Sequence, residues 1–406
     1  MLDRIKKIDI ELLIFVLCIF LQNFAIISTK DFGISCIVLF LIYVFFRYNY
    51  IKKLNVKFIA FNVISLLFVA LNYVFNDIFA FTQVVRYFLV AFVVFTGYYY
   101  VKDIIDKSKT DLLLKYCFIV TTIICVYGIY QFIASLYDLP MFLNIFNNNP
   151  SYAVRHIHET YGGWVKIGRI YGVFFEPSIY AIFLSNLFFI FLLTKKDDYY
   201  YKLSYFIPMV LIFFNILLTF SRAGWIVFLI YFTVYIFNKL FRNNDLLKKM
   251  FKFSIIILPF IVFVAMYTIG LMLFKDNSSL TRTYSSLFYL KRTFSHLKYI
   301  LIGHGLGSIS MPNFCNWFHR TDIEPFTHNG FIEVLYQFGL IYFIYAIYKI
   351  NKFISKTIKS KSFYSFAAFS SLLCFGAHYN IDSLVVLIII FILIASKYDR
   401  SMEWLQ

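Results

Sequence analysis

The chain has 406 residues, of which 61% are hydrophobic and only 15% are charged, with a formal net charge of +17. A soluble protein of this length needs far more polar surface, so the composition excludes an ordinary globular enzyme and predicts a polytopic helical membrane protein. A basic protein can bind nucleic acid, but basic loops on the inner side of a membrane explain the charge more simply.

Apolar segments recur along the whole chain, and each approaches the roughly 20 residues that cross a hydrocarbon core. The first is expected to be a retained anchor rather than a signal peptide, because it carries Gln22 and Asn23 and no small-residue cleavage site follows it. We therefore predict an all-α fold, with residues 1–406 forming a single integral membrane domain. The twelve predicted transmembrane spans are 10–27, 32–47, 57–75, 78–100, 112–136, 171–193, 203–220, 222–238, 253–274, 328–348, 363–379 and 380–396.

Loops rich in basic residues alternate along the chain with loops that have few, and the basic loops are expected on the cytoplasmic side. Both termini are therefore predicted to be cytoplasmic. Two of the outer segments are long, approximately 137–170 and 275–327, and long loops in compact domains are commonly functional. Within the second, apolar residues recur at helical spacing from Leu287 to Leu301, with Arg292 and Lys298 between them. This pattern predicts a basic amphipathic helix at the outer membrane surface, and lipid anchorage alone is the alternative.

The sixth span begins with an acid followed by proline. Pro177 favours the first helical position, so Glu176 is predicted to cap the outer end of the span, where the helix dipole favours its ionised form. Arg169 lies shortly before it. The two residues are either part of a functional site or a purely structural ion pair at the helix start.

The eighth span begins with Ser221, a good N-cap, followed by Arg222 in the first turn. The helix dipole disfavours a cation there, so Arg222 indicates a nearby anion. The alternative is an arginine that reaches to the lipid headgroups.

At the start of the tenth span, Thr327 or Asn329 can cap the helix and leave His328 in or beside the first turn. The positive helix end lowers the pKa of the imidazole and favours a neutral ring that can accept a proton. The alternative is an interfacial histidine bonded to a loop.

All three of these spans run from outside to inside, so their N-termini face outward at similar depth. Exposed N–H groups at helix starts bind anions, and arginine adds bidentate donors suited to phosphate. The sequence therefore predicts an outward site for a lipid-linked phosphate or pyrophosphate. The segment Gly303–Gly307 is predicted to be a tight loop near this site, and Arg86 to face the bundle interior. For His378 and Asp382, capping roles are favoured over chemistry.

Four features together resemble the O-antigen polymerase and O-antigen ligase superfamily, over roughly residues 165–345. The first two are Arg169–Ser178, similar to the family's Phe-x-Glu-Pro segment, and Leu218–Gly224, similar to its Ser-Arg-Gly/Ala helix start. The third is Arg282, which resembles the loop arginine that precedes a Gly-x-Gly element. The fourth is Thr327–Gly330 followed by Gln337–Leu340; Gln337 stands where an acid is frequent, so no role is carried over to it.

The resemblance implies a glycosyltransferase in the bacterial plasma (inner) membrane, with its site facing the periplasm or exterior. It would polymerise undecaprenyl-pyrophosphate-linked repeat units into O-antigen or capsular polysaccharide, with a chain-length regulator and a flippase as partners besides membrane lipid. No cofactor, metal or nucleic acid is expected. The predicted catalytic residues are His328, as general base, and Glu176; the predicted pyrophosphate-binding residues are Arg169, Arg222, Arg282 and Arg292.

Three other functions remain open. A ligase of the same superfamily would transfer the glycan to a lipid A core or a protein. A flippase would translocate the same lipid-linked oligosaccharide, although related halves with broken helices at the bilayer midplane are not evident. A receptor or assembly scaffold is the third.

Overall fold

The structure is a computed structural model and is mostly helical. It describes residues 9–28, 33–76, 81–137, 139–140, 168–174, 176–194, 199–240, 277–309, 330–357 and 382–401. The helices in these ranges are α1 (Ile10–Phe20), α2 (Cys36–Arg47), α3 (Val56–Asn76), α4 (Phe81–Asp106), α5 (Thr110–Leu136), α6 (Pro177–Leu193), α7 (Tyr199–Leu218), α8 (Arg222–Leu240), α9 (Asn277–Thr293), α10 (Leu297–Ile302), α11 (Gly330–Thr357) and α12 (Asp382–Ser401), with a 3-10 turn at Tyr50–Lys53.

A short β-hairpin separates the first two helices, so the all-α prediction is wrong at this point. Strand β1 (Ala25–Ser28) pairs antiparallel with β2 (Gly33–Ser35), and Ala25 lies opposite Ser35. The predicted span 10–27 therefore ends as a helix at Phe20. Gln22 and Asn23 interrupt the apolar run there, and the β-branched isoleucines that follow favour a strand.

Three helical segments are long and apolar enough to cross a membrane among the residues that the structure describes: Val84–Asp106, Thr110–Leu136 and Gly330–Lys349. Six shorter apolar helices accompany them. The predicted spans 253–274 and 363–379 lie outside the described residues, as does most of the predicted outer segment 137–170. Helices thus occur at most predicted spans, while the count of twelve stays a prediction.

The main apolar core joins α1, α2, α4, α5, α6, α7, α8 and α12. Helix α12 packs against α4. At Gly97 of α4, an added Cβ would lie 3.7 Å from the side chains of Val386 and Ile389, which is an ordinary contact distance. Ser35, just before α2, donates a hydrogen bond of 3.0 Å to Asp382 in the first turn of α12. This bond fixes the start of α12 beside the hairpin.

One end of the helix bundle is rich in ion pairs, and we call it the ion-pair end. Lys53 bridges Asp103 at 3.1 Å, Lys109 bridges Asp9, and Lys397 donates to Thr110 at 2.9 Å. These lysines come from three segments that the sequence predicts to be cytoplasmic. Their meeting at one end agrees with the predicted alternation of the chain.

Helix α5 runs from the ion-pair end to the opposite end, where Gln131 contacts the turn that precedes α6. Because α4 and α5 are joined by a short connection at the ion-pair end, the start of α4 also lies at the opposite end. We call this the arginine end, since Arg169 and Arg222 lie there. Arg169, Glu176 and Arg222 belong to the turn and the helix starts near this end, whereas Arg282 and Arg292 lie within α9.

Candidate functional site

The turn that leads into α6 is held by one buried side chain, Gln131 of α5. Its Oε1 accepts hydrogen bonds from the backbone N–H of Tyr171 at 3.2 Å and of Gly172 at 2.8 Å, and its Nε2 donates to the carbonyl of Gly172 at 2.9 Å. Gly172 has φ +58, and a Cβ there would meet the ring of Tyr180 at 2.8 Å. The clamp therefore requires glycine at this position.

Arg169 opens this turn, and its guanidinium Nε donates to the carbonyl of Thr219 at 3.0 Å. The backbone N–H of Ile170 also points to the carbonyl of Leu218, at 3.4 Å. These bonds attach the segment before α6 to the C-terminal end of α7. Because Thr219 lies only three residues before Arg222, the two predicted phosphate-binding arginines lie at the same end of the α6–α8 unit.

Ser221 caps α8, as the sequence predicts: its Oγ accepts the backbone N–H of Gly224 at 3.2 Å. Arg222 is the first residue of α8, and it is exposed. Gly224 lies against α6 so closely that a Cβ there would meet Ala181 at 2.2 Å. The absence of a side chain at Gly224 thus brings the starts of α6 and α8 together.

Glu176 occupies the N-cap position of α6 with an extended backbone, φ −144 and ψ 136, and Pro177 follows in the first turn. This agrees with the predicted helix start. Its carboxylate accepts a hydrogen bond of 2.6 Å from the Ser178 hydroxyl, so the carboxylate is held beside the first turn of the helix. Whether Glu176 orients Arg169 stays a prediction.

The predicted outer helix from Arg282 to Leu301 is two helices, α9 and α10, separated at Phe294–His296. Part of the predicted apolar stripe faces outward: Phe294 and Leu297 are exposed, as in the lipid-anchorage alternative, whereas Ser285, Phe288 and Tyr289 are buried. The buried face of α9 carries the aromatic residues rather than the leucines, because this face packs against α11.

The two arginines of α9 lie in a helix. Arg282 is inside α9, in agreement with the helix predicted within the outer segment 275–327; its side chain lies outside the described set. Arg292 is in the last turn of α9, and its guanidinium lies 5.6 Å from the centre of the Phe288 ring. A cation in the last turn also interacts favourably with the helix dipole.

The glycine-rich loop after α10 docks into a break in α11. Gly339 has φ +74 and ψ 177 inside α11, which interrupts the helical ladder and frees the carbonyls one turn earlier. The carbonyl of Tyr336 accepts the N–H of His304 and that of Gln337 accepts the N–H of Gly305, both at 2.8 Å. The side chain of Gln337 accepts a third, from Gly307 at 3.1 Å. The predicted tight loop is thus confirmed, and it binds helix backbone.

The docked loop also reaches α3. The N–H of Leu306 donates to the carbonyl of Phe68 at 2.9 Å, and a Cβ on Gly305 would meet the backbone of Asn72 at 2.3 Å. Gly305 has φ +95, a backbone conformation that favours glycine. The loop therefore joins α3, α10 and α11 at the arginine end.

His304 is 1% exposed and is sandwiched between two tyrosine rings. Its ring centre lies 3.9 Å from that of Tyr299 and 4.3 Å from that of Tyr336, and both pairs are stacked. Its Nε2 lies 3.4 Å from the carbonyl of Arg292. Burial lowers the pKa of His304 to about 4, so the ring is neutral at physiological pH.

Two buried polar residues of α11 were assigned no role from the sequence. Glu333 is 7% exposed and Gln337 is 3% exposed, and with Tyr336 they lie on one face of the helix. Burial raises the pKa of Tyr289 on α9, and of the nearby charges Glu333 raises it further while Arg292 lowers it. The signal in the sequence was two polar residues four apart in an otherwise apolar span.

The structure places Arg169, Glu176 and Arg222 at the adjacent starts of α6 and α8, and Arg292 beside the docked loop. His328, the predicted general base, and His378 lie outside the described residues, although α11 begins two residues after His328. Arg86 is partly buried in α4. The site roles of all these residues remain predictions.

Comparison with known proteins gives one match: the family model described as O-Antigen ligase matches residues 207–347, about a third of the chain. No curated protein and no solved structure matches this chain. The match includes the second half of α7, all of α8 with its Ser221–Arg222 start, α9, α10, the docked loop and most of α11. Members of this family transfer glycans, and the family implies lipid-linked glycan substrates. Together with the apolar helices, the match indicates an inner-membrane protein with a ligase- or polymerase-type function. The resemblance found in the sequence is thereby confirmed over residues 207–347, the part of the chain that matches the O-antigen ligase family.

Proposed function

We propose that this protein polymerises lipid-pyrophosphate-linked oligosaccharide repeat units on the outer face of the plasma membrane. The single observation that carries the proposal is the meeting of two helix starts at the arginine end. Gly224 packs on Ala181, and Arg169 bonds to Thr219, so Arg222 and Arg169 lie beside the N-termini of α6 and α8. Such an array of amide dipoles and guanidinium groups suits a pyrophosphate.

In the proposed reaction, a hydroxyl oxygen of the acceptor sugar attacks the anomeric carbon of the donor. The new glycosidic bond forms as the bond from that carbon to the pyrophosphate oxygen breaks, and the carrier leaves with the electron pair. His328 takes the proton of the hydroxyl, a contribution of roughly 10²–10⁴-fold in rate. Arg222 and Arg282 neutralise the charge that develops on the leaving pyrophosphate.

Arg169 and Arg292 have supporting roles in this scheme. Arg169 is oriented by its bond to Thr219, and Arg292 lies in the last turn of α9, where its carbonyl is 3.4 Å from His304 Nε2 of the docked loop. Glu176 lies at the start of α6, where a carboxylate can accept hydrogen bonds from sugar hydroxyls. The site is thus assembled from rigid helix ends rather than from one continuous segment.

The test is reconstitution of the purified chain in vesicles with lipid-linked repeat units as the sole substrate. We expect a ladder of lipid-linked products that differ by one repeat unit. Arg222→Gln is expected to lower the rate by about 10²–10³-fold, the usual effect of removing one donor to a developing negative charge. Arg242→Gln, on a segment predicted to be cytoplasmic, is the matched control for charge.

The ligase reading rests on the description of the matching family model. It predicts no ladder from repeat units alone and transfer only when a lipid A core or protein acceptor is added. That outcome would replace the polymerase proposal while leaving the site intact.

Replacement of His328 separates glycosyl transfer from translocation. His328→Ala should abolish transfer, and movement of labelled lipid-linked oligosaccharide across the vesicle membrane should be unaffected. His296→Ala is the control, because His296 is exposed in the turn between α9 and α10. Loss of translocation with unchanged transfer would contradict the enzyme proposal and favour a flippase.

A further inference from the structure

A polar cavity of about 220 Å³ lies at the ion-pair end, far along the helices from the candidate site. It is lined by residues of α1, α2, α4 and the segment that leads into α5, among them Glu11, Arg47, Tyr48, Lys107 and Lys109. The proposed transfer reaction uses none of these residues. The cavity therefore calls for an occupant of its own.

The carboxylates around the cavity already have donors. Glu11 accepts hydrogen bonds from the hydroxyls of Tyr48 at 2.7 Å and Tyr100 at 3.1 Å, and bridges Arg47 at 3.2 Å. Asp103 accepts from Tyr50 at 2.7 Å and from Lys53. The hydrogen bond from Lys109 lowers the pKa of Asp9, which keeps that carboxylate ionised. The acidic groups thus have little capacity left for a cationic ligand.

The cations, in contrast, retain donor capacity. Arg47 is about half exposed, and beyond Glu11 it bonds to the Tyr43 hydroxyl, so a guanidinium with five N–H donors keeps some in reserve. Lys107 is exposed and lies 4.9 Å from the centre of the Tyr48 ring. Lys109 uses one of its three donors on Asp9. An anion, and specifically a phosphate, matches these donors.

The surface next to Arg47 identifies the source of the phosphate. Tyr43 and Phe46 of α2 are 47% and 66% exposed, and Arg47 bonds directly to Tyr43. On α1, Ile10 and Ile14 are exposed at a spacing of one turn. Apolar side chains therefore continue from the cavity along two helices, as acyl chains would.

From this juxtaposition we propose that the cavity between α1, α2, α4 and α5 is a headgroup site for an anionic phospholipid of the inner leaflet. The phosphate lies between Arg47, Lys107 and Lys109, and the acyl chains follow the exposed faces of α1 and α2. The proposal is independent of the reaction at the other end of the bundle. It adds a specific lipid contact to the general attraction of basic loops for anionic membranes.

The experiment compares lipid retention by the full-length protein in native mass spectrometry, after equilibration with equal amounts of phosphatidylglycerol and phosphatidylcholine. We expect phosphatidylglycerol to be retained preferentially, and Lys107→Gln to reduce that retention about fivefold, as the loss of one basic residue near an anionic surface predicts. The control is Lys102→Gln, an exposed lysine on α4 that does not line the cavity. It should retain the lipid as the parent protein does.

Two outcomes would overturn the proposal. Equal losses in Lys107→Gln and Lys102→Gln would mean diffuse attraction rather than a site. Displacement of the bound lipid by millimolar inorganic phosphate, with no dependence on the acyl chains, would assign the cavity to a soluble phosphate instead. Folding of each variant is checked by its thermal unfolding in detergent. Arg47→Lys serves as a second variant: it keeps the charge beside Glu11 but loses the additional guanidinium donors, so it should also reduce the retention of phosphatidylglycerol.

Discussion

Two loops of the arginine end are each held by a helix that carries a buried glutamine, but the bonds differ. One loop is held by the glutamine side chain, and the other mainly by the helix backbone. The turn before α6 depends on the side chain of Gln131, which makes three hydrogen bonds to Tyr171 and Gly172. The loop after α10 depends mainly on the backbone of α11, and the side chain of Gln337 adds a single bond.

The difference follows from the integrity of the two helices. Helix α5 is continuous, so its carbonyls are used within the helix and only a side chain can hold a loop. Helix α11 is broken at Gly339, and the freed carbonyls bind the loop directly. A break in a long apolar helix thus holds a loop as a buried amide side chain does, with stronger dependence on glycine.

The largest expected effect is at the break itself. Gly339→Ala places a Cβ about 2.5 Å from the backbone N of Gly303 and O of Leu301, at a φ of +74 that disfavours side chains. Strain and overpacking together should lower the free energy of unfolding by roughly 3 kcal/mol or more. Thermal unfolding in detergent measures it.

The matched control for this change is Gly97→Ala in α4, where the new Cβ meets side chains at the ordinary distance of 3.7 Å. Alanine in a helix interior is favoured over glycine by about 1 kcal/mol, so this variant should be as stable as the parent or more so. Equal destabilisation by both changes would contradict the proposed role of the break.

The next effect concerns His304 and pH. Its folded pKa of about 4 lies below the unfolded value of about 6.5, so the unfolded chain binds the proton first as pH falls. The stability from neutral His304 is complete above about pH 6.5 and is lost towards pH 4, by on the order of 3 kcal/mol. His304→Phe, which keeps a flat ring between the two tyrosines, should lose less stability across this range.

The two glutamines provide the most direct test of the comparison. Gln131→Leu leaves two N–H groups and a carbonyl without that partner, so it should lower the free energy of unfolding by about 2–3 kcal/mol. Gln337→Leu affects only one N–H group and should lower the free energy of unfolding by about 1 kcal/mol. Reversed magnitudes would show that the helix backbone does not carry the second loop. Gln22→Leu is the control, since the buried Gln22 amide has no hydrogen-bond partner among the described residues, and its removal should be neutral or stabilising.

The smallest effect is expected at the cap of α8. Ser221→Ala removes the acceptor of the Gly224 N–H and should lower stability by about 1 kcal/mol. Because Ser221 caps the helix that Arg222 begins, transfer activity should fall by more than the loss of folded protein explains, and Ser221→Asp should restore both activity and stability. A loss of stability without any loss of activity would separate the cap from the site.

Local sequence determined much of this protein. The helix starts at Pro177 and Arg222, the capping by Ser221 and the tight loop at Gly303–Gly307 were all predicted, because proline, serine and glycine act on the backbone within a few residues. The membrane class and the superfamily were predicted for a similar reason: composition and short motifs do not depend on distant contacts.

Only the tertiary structure decided which segments meet. The hairpin at Ala25–Ser35, the split between α9 and α10, and the docking of a loop into α11 depend on partners far along the chain. Gln131 and Gln337 look like interruptions of apolar spans until the backbone that they bind is in place. The physical reason is that a buried polar group is costly unless it has a partner, and the sequence shows the group but not the partner.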